Sequence, residues 1–272
     1  AGGFGTRISE ESRYIPKPLI EIGNMPILWH IMKLYSACGI NEFIICAGYK
    51  QHAIKDFFYN YSLHNCDLTF DFENNETVIH ENRSESWRVT VVDTGLNTMT
   101  GGRIKRIAKY LDDEPFCLTY GDGLSDVDIQ KVIDFHNRES KLATITAVHP
   151  EGRFGILDMS GSDVLAFREK NVEDVGWING GFMVLDPKVI GYIEGDDTVF
   201  ERDPLESLSK EGQLNAYKHS GFWQCMDTQR DKESLEKTGF KRVILPRETS
   251  LREMKEIYDN TNVELEKEFE EL

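Results

Sequence analysis

The chain has 272 residues and carries 31 Lys+Arg against 47 Asp+Glu, a formal net charge of −16. With 40% hydrophobic and 29% charged residues its composition is globular, which excludes a disordered or low-complexity protein. The acidic balance argues against nucleic acid or an anionic membrane as partner, because like charge repels those polyanions, whereas a small anionic substrate feels only its local site.

At about 100–200 residues per domain, the length suits one large α/β domain or two small ones. The chain opens on a Gly-rich loop instead of a basic and then apolar leader, and no apolar run approaches the ~18–20 residues of a membrane span. The five cysteines (Cys38, Cys46, Cys66, Cys117, Cys225) are scattered with no C-x-x-C pair, so buried free thiols and a cytoplasmic location are expected.

Apolar runs alternate with helix-period segments, the signature of an α/β fold. Pro26 to Cys38 is predicted helical and stops at Gly39. Glu42–Ala47 reads as a buried strand, followed by a helix around His52–Asn60. Leu68–Phe72 and Trp87–Val92 are strand-like, Gly101–Tyr110 is a short basic helix, and Phe116–Tyr120 is a buried strand ending in Gly121-Asp122-Gly123. Asp126–Asn137 is an amphipathic helix and Leu142–Val148 a strand; Ile156–Leu157, Val164–Phe167 and Gly180–Leu185 are later apolar segments. Beyond Gly239 the character changes. Ser250 to Glu253 fits a capping box, and Glu264–Leu272 is an acidic amphipathic helix.

Four places carry candidate chemistry. In Ala1-Gly-Gly-Phe-Gly-Thr-Arg7, glycines let backbone N–H groups approach an anion, and Arg7 adds a planar fork suited to phosphate. Lys17 follows between Pro16 and Pro18, a clamped cation that reads as a phosphate partner or as a surface lysine in a Pro turn. Asp122 follows a buried strand, where open α/β sheets bind ligands, although Asp-Gly also serves plain turns. Asp227 is a candidate second carboxylate for Mg²⁺; read alone, it is a helix N-cap with Thr228–Leu235 following.

Thr98-Met-Thr-Gly-Gly-Arg103 could receive a base or phosphate, or be a solvated basic face. Glu169 and Asn179 are suitable partners for sugar hydroxyls and Lys170 for a sugar phosphate, although Glu169–Lys170 also reads as a surface ion pair. No metal-spaced histidines and no G-x-S-x-G elbow occur, so zinc and serine-hydrolase readings have little support. An NAD-type oxidoreductase is disfavoured because the third glycine of G-x-G-x-x-G is absent after Arg7.

Together these segments resemble the sugar-phosphate nucleotidyltransferases: AGGFGTR (1–7), KPLIEIGNMPILWHIMKLYS (17–36), VDTGLNTMTGGRIKR (92–106), LTYGDGLSDVDI (118–129), GRFGILD (152–158), WINGGFMVL (177–185) and GFWQCMDTQRDKESLE (221–236). The 98–103 loop is most similar to the cytidylyl branch. The resemblance implies a Rossmann-like, mostly parallel mixed sheet flanked by helices, with small β additions. It implies CTP and α-D-glucose 1-phosphate as substrates, CDP-glucose and pyrophosphate as products, and Mg²⁺ as cofactor. It also implies homo-oligomers and a supply of CDP-glucose for bacterial surface polysaccharide such as lipopolysaccharide O-antigen.

By that resemblance Gly2, Gly3, Phe4, Gly5, Thr6, Arg7 and Lys17 cradle the CTP phosphates, and Thr98, Arg103 and Gly121 contact the nucleotide. Asp122 and Asp227 fall at the metal ligands. Gly155, Glu169, Lys170, Asn179 and Gly180 fall at sugar-phosphate positions. The catalytic set is then Arg7, Lys17, Asp122 and Asp227. Two departures stand out. The family's first strand would precede Ala1, so a nucleotidyltransferase domain over 1–239 is expected to lack a central strand, with Lys241–Leu245 as an alternative occupant of that place. The helical segment 240–272 diverges from the family's ending. A relative that senses nucleotide without turnover is the remaining rival, and the presence of Arg7, Lys17, Asp122 and Asp227 speaks against it.

Overall fold

In a computed structural model of the chain the described residues are 2–3, 15–150, 156–160, 163–168 and 176–237, with backbone alone for 156–160 and 163–168. The expected helices and strand after Gly239, among them Lys241–Leu245, lie outside the described residues, as does the loop from Phe4 to Arg7.

A 3₁₀ turn over Lys17–Leu19 leads into a small hairpin, β1 (Glu21–Ile22) and β2 (Met25–Pro26), and then α1 (Ile27–Ser36). Eight of the ten α1 residues are buried, so packing on both sides sustains this helix; it ends before Gly39, which takes φ +82. Strand β3 (Glu42–Ala47) coincides with its sequence reading, and α2 runs over Gln51–His64. Strands β4 (Cys66–Asp71) and β5 (Glu76–Asn82) form an exposed hairpin, one of the small β additions. Strand β6 (Arg88–Asp93) returns parallel to β3.

Helix α3 (Thr100–Arg106) is seven residues long and continues into a 3₁₀ turn over Ala108–Tyr110. Strands β7 (Phe116–Thr119) and β8 (Gly123–Ser125) flank the Gly121–Asp122 turn. Helix α4 (Ile129–Glu139) starts later than its periodicity suggested, because Asp128 caps it by accepting the Lys131 N–H at 3.1 Å. Next come β9 (Ala143–Val148), a second hairpin of β10 (Ile156–Ser160) and β11 (Asp163–Arg168), and β12 (Ile178–Leu185). Helix α5 (Asp203–Lys210), β13 (Leu214–Lys218), β14 (Trp223–Cys225) and α6 (Gln229–Ser234) complete the described chain.

The main sheet is mixed. Its four-stranded part has the order β13-β9-β12-β7, with β13 parallel to β9 and both neighbours of β12 antiparallel to it. Both faces of β12 are covered, as its alternation shows. Phe182 and Val184 join α1 and α4 residues such as Ile31, Leu34 and Val132, whereas Met183 and Leu185 join Val189, Phe200 and Leu208 on the other face. A third cluster binds α1 and α2 to β3 through Leu28, Met32, Ile45 and Ile54.

The β3–β6 pair and the four-stranded part are separate ladders. Between them lies a cavity of about 1190 Å³, lined on one side by Glu42–Cys46 of β3 and on the other by Phe116–Thr119 of β7. Among the described residues no strand pairs with these two facing edges. All five cysteines are free and half-buried; burial, reinforced by Cys38, pushes the Cys117 thiol up to about 12, so it stays protonated and inert.

Candidate active site

One end of that cavity holds Lys17, Asp122 and Asp227. Pro16 and Pro18 fix the backbone at Lys17, and its ammonium is largely buried. Asp122 and Asp227 are brought together by a short ladder. Strands β8 and β14 pair antiparallel with Gly123 opposite Cys225, and the next pair is closed by the Met226 N–H donating to the Asp122 carbonyl at 2.8 Å. One residue further, the Asp227 carboxylate reaches the same point as that of Asp122. Lys17 Nζ donates to Asp122 Oδ2 at 2.6 Å and to Asp227 Oδ1 at 2.8 Å.

Burial alone would depress the Lys17 ammonium, but the Asp122 and Asp227 carboxylates outweigh it and hold its pKa above the ordinary value. Asp227 is oriented from behind: its backbone N–H donates to Asp231 Oδ2 at 3.0 Å, and the Cys225 thiol lies 3.8 Å from its Oδ2. Burial, and then the neighbouring Asp227 and Asp122 carboxylates, push the Cys225 thiol up to about 11, so it is not a thiolate ligand. The helix cap that sequence alone placed at Asp227 belongs to Thr228. Its hydroxyl and Asp231 form a reciprocal capping box, which frees Asp227 for the site.

Two carboxylates converging on a single cationic point form a donor pair that could hold a hard divalent cation, with waters and phosphate oxygens completing the shell. Among the described residues no group of three or more His, Cys, Asp or Glu side chains forms a metal cluster.

The glycine-rich and nucleotide-loop residues lie at the same cavity. Gly2, Gly3, Thr98, Arg103 and Gly121 all line it. Arg103 is held by three backbone carbonyls and one hydroxyl. Its guanidinium donates to Gly95 O at 2.7 Å, Thr94 Oγ1 at 2.8 Å, Gly2 O at 3.1 Å and Leu96 O at 3.2 Å. A Cβ at Gly2 or Gly48 would meet that guanidinium, and one at Gly48 would also meet the Gly95 carbonyl at 2.8 Å. Thr98 is buried between Gly95 and Gly102. Gly101 and Gly102 let α3 press against the backbone of Thr198 and Asp196, which a Cβ would meet at 2.6–2.8 Å.

Asn179 and Gly180 lie on β12 outside this lining. Asn179 Oδ1 accepts the Gly181 N–H at 2.9 Å, and the Gly180 carbonyl accepts the Trp223 indole N–H at 2.7 Å. Gly155, Glu169 and Lys170 lie outside the described residues. Tyr120 and Glu201, which sequence reasoning missed, also line the cavity, and the Tyr120 hydroxyl donates to Glu201 Oε1 at 2.5 Å. Burial and the Glu201 carboxylate hold that phenol far above its ordinary range, as a donor. No helix among the described residues is long and apolar enough to cross a membrane.

The nucleotidyl transferase family model matches residues 1–228. A second model, peptidase family U32, matches 220–268, mostly outside the described residues. The glucose-1-phosphate cytidylyltransferases of Salmonella typhi and Salmonella typhimurium are each 55% identical over 237 residues, covering 87% of this chain and 92% of theirs. Among solved structures, the UDP-glucose pyrophosphorylase from Acinetobacter baumanii superposes with a TM-score of 0.63 at 18% identity, covering 90% of this chain and 96% of that one. That likeness shows the shared fold. The family match over most of the chain, with relatives of this identity, establishes that the chain belongs to the nucleotidyl transferase family.

Proposed function

We propose that the protein transfers a cytidylyl group from CTP to α-D-glucose 1-phosphate, giving CDP-glucose and pyrophosphate. The observation that carries this reading is 55% identity over 87% of the chain to glucose-1-phosphate cytidylyltransferases, in a chain whose Lys17, Asp122 and Asp227 meet at one cavity. The sugar-phosphate oxygen attacks the α-phosphorus of CTP in line. The new P–O bond forms as the α–β P–O bond breaks, and its electron pair leaves on the pyrophosphate oxygen. No protein nucleophile or base is required, because the attacking phosphate is already ionised. Catalysis is then positioning and charge stabilisation.

In this reading Asp122 and Asp227 would hold Mg²⁺, which would neutralise phosphate charge. Lys17, which lies between these two carboxylates, would offer its ammonium to the phosphates. The loop from Gly2 to Arg7 cradles the triphosphate, with Arg103 fastening its base at the Gly2 carbonyl. Glu169, Lys170, Asn179, Gly180 and Gly155 stay assigned to the sugar-phosphate side. A nucleotidyltransferase domain over 1–239 with a divergent segment over 240–272 goes with this reading, supported by the family match over residues 1–228. A cytoplasmic homo-oligomer that feeds polysaccharide synthesis is the setting that goes with this activity.

The test is pyrophosphate release across four nucleoside triphosphates and several sugar 1-phosphates, with and without Mg²⁺. Release with CTP and glucose 1-phosphate, dependent on Mg²⁺, is expected. Preference for UTP or dTTP would overturn the cytidylyl assignment, and no release with any pair would favour a nucleotide sensor.

A further inference from the structure

Glu201 sits in the turn before α5 and lines the same cavity as Lys17, Asp122 and Asp227. Its two oxygens are used separately. Oε1 accepts from the Tyr120 hydroxyl at 2.5 Å, and Oε2 accepts from the Thr100 hydroxyl at 2.6 Å. The two donors belong to the two halves of the site. Tyr120 ends the β7 edge and precedes Gly121 and Asp122; Thr100 opens α3 within the loop that follows Thr98.

Each half is further tied down. The Tyr120 N–H donates to the Gly181 carbonyl at 3.2 Å, and its ring lies against Gly181, where a Cβ would come within 2.5 Å of it. The Thr100 hydroxyl accepts the Phe200 N–H at 2.9 Å, so hydroxyl and carboxylate orient each other across two adjacent residues. The Gly101 N–H donates to Thr198 O at 2.9 Å and the Met99 N–H to Asp196 O at 2.8 Å, which joins the loop to the same turn. Glu201 is thus the only side chain among the described residues that hydrogen-bonds to both Tyr120 and Thr100.

We propose that Glu201 is a positioning residue for the transfer reaction, its carboxylate locking the Tyr120 end of β7, and with it Asp122, against the Thr98–Gly102 loop. It touches no reacting atom in this role. It sets where one of the two cation-holding carboxylates sits relative to the nucleotide loop. A carboxylate suits this task because two oxygens at fixed separation accept from two hydroxyls at once. The inference rests on the reading of Asp122 as a cation ligand.

The test uses the full chain with E201A, E201Q, Y120F and the E201A/Y120F double variant, each checked for folding by thermal melting. Displacing a positioned carboxylate is expected to lower kcat about tenfold or more in E201A and Y120F, because misplacement near 1 Å is costly in such sites. The Mg²⁺ concentration for half-maximal rate rises severalfold, while KM for glucose 1-phosphate stays within about twofold. E201Q keeps an acceptor for Tyr120 and recovers most of the loss. The double variant falls no further than about twofold below the worse single one, since E201A already removes the Tyr120 contact that Y120F removes. Mn²⁺ titration in the presence of CTP, read by electron paramagnetic resonance, shows weaker binding in E201A and Y120F without reference to turnover.

Wild-type kcat and Mn²⁺ affinity in folded E201A and Y120F would overturn the proposal. So would losses that multiply in the double variant. Y120F removes one hydroxyl only and decides the matter if E201A does not fold. A wild-type protein without turnover would sink the assigned reaction, and the Mn²⁺ titration would still decide the role of Glu201.

Discussion

The Lys17 ammonium lies 2.8 Å from the carboxylate of Asp227, 210 residues further along the chain. That contact depends on the pairing of Gly123 with Cys225, which carries Asp122 and Asp227 to the same point. Either carboxylate alone would be an ordinary partner for a lysine. Two of them around one cation form a donor pair that could hold a divalent ion.

Asp122→Asn and Asp227→Asn each remove half of that charge while keeping shape. Each is expected to lower turnover by about 10²-fold or more, the scale on which removal of one charge-stabilising group acts in such sites. Steady-state pyrophosphate release with saturating CTP and Mg²⁺ measures it. Near-normal activity in both variants would remove the carboxylates from the mechanism.

Arg103 is expected to act by holding the loop that begins at Gly2. Lysine cannot span the Gly2, Gly95 and Leu96 carbonyls together with the Thr94 hydroxyl, since it lacks the planar fork. Arg103→Lys should therefore cost about 1–3 kcal/mol of stability, as for loss of hydrogen bonds to a charged group. It should also raise KM for CTP more than KM for glucose 1-phosphate. Denaturant melts and two-substrate kinetics check both, and equal KM changes would speak against the loop-holding role.

Gly181 combines φ +80 with the Tyr120 ring against its Cα. An alanine there adds about 1–2 kcal/mol of backbone strain before any clash is counted. Because its Cβ must push the Tyr120 ring, Gly181→Ala should lower kcat as well as the melting temperature. A variant that melts earlier but turns over normally at low temperature would show that the ring's position does not matter for the chemistry.

His30 is a buried residue of α1, with Nε2 donating to the Ile22 carbonyl at 2.9 Å. Burial lowers its pKa, against a smaller opposing pull from the Ile22 and Met25 carbonyls. Below pH ~6.5 the unfolded chain binds a proton that the folded chain refuses. Stability should accordingly fall as pH drops from ~6.5 to the lowered folded value, by at most about 1.4 kcal/mol per pH unit from this residue. Below the folded value the loss stops growing. Urea midpoints from pH 7 to 5 measure the slope, and His30→Gln should flatten it; an unchanged slope would assign the acid sensitivity elsewhere.

Local pattern made much of this fold legible. The apolar run of Glu42–Ala47 and the periodic stretch ending before Gly39 read directly as β3 and α1, because burial and turn chemistry act within a few residues there. Strands β8 and β14 are three residues each, too short to show a period, yet their pairing assembles the site. Helix α5 went unread for a similar reason, with only Pro204, Leu205 and Leu208 buried. The Lys17 and Asp122 positions were readable from Pro and Gly neighbours, whereas Asp227 looked like a cap until Thr228 and Asp231 were seen to fill that role. Glu201 carried no local signal. Its partner Tyr120 is 81 residues away, and only the packing of the 195–202 turn on α3 brings them together.

Removing the ammonium gives the sharpest check on the shared cation point. Lys17→Met leaves the Asp122 and Asp227 carboxylates facing one another with that neutralising charge gone, and their repulsion should lower the melting temperature in the absence of metal. Mg²⁺ added without nucleotide then meets no competing ammonium, so it should bind the variant more tightly than the wild type. By mass action a tenfold gain in occupancy over the dissociation constant is worth about 1.4 kcal/mol, a few degrees for a chain of this size. Turnover should still fall about 10²-fold, because the phosphates lose a positioned cation. Thermal melting with increasing Mg²⁺ separates the two effects. If Mg²⁺ raises the midpoints of wild type and variant equally, Lys17 and the divalent ion do not compete for the same two carboxylates.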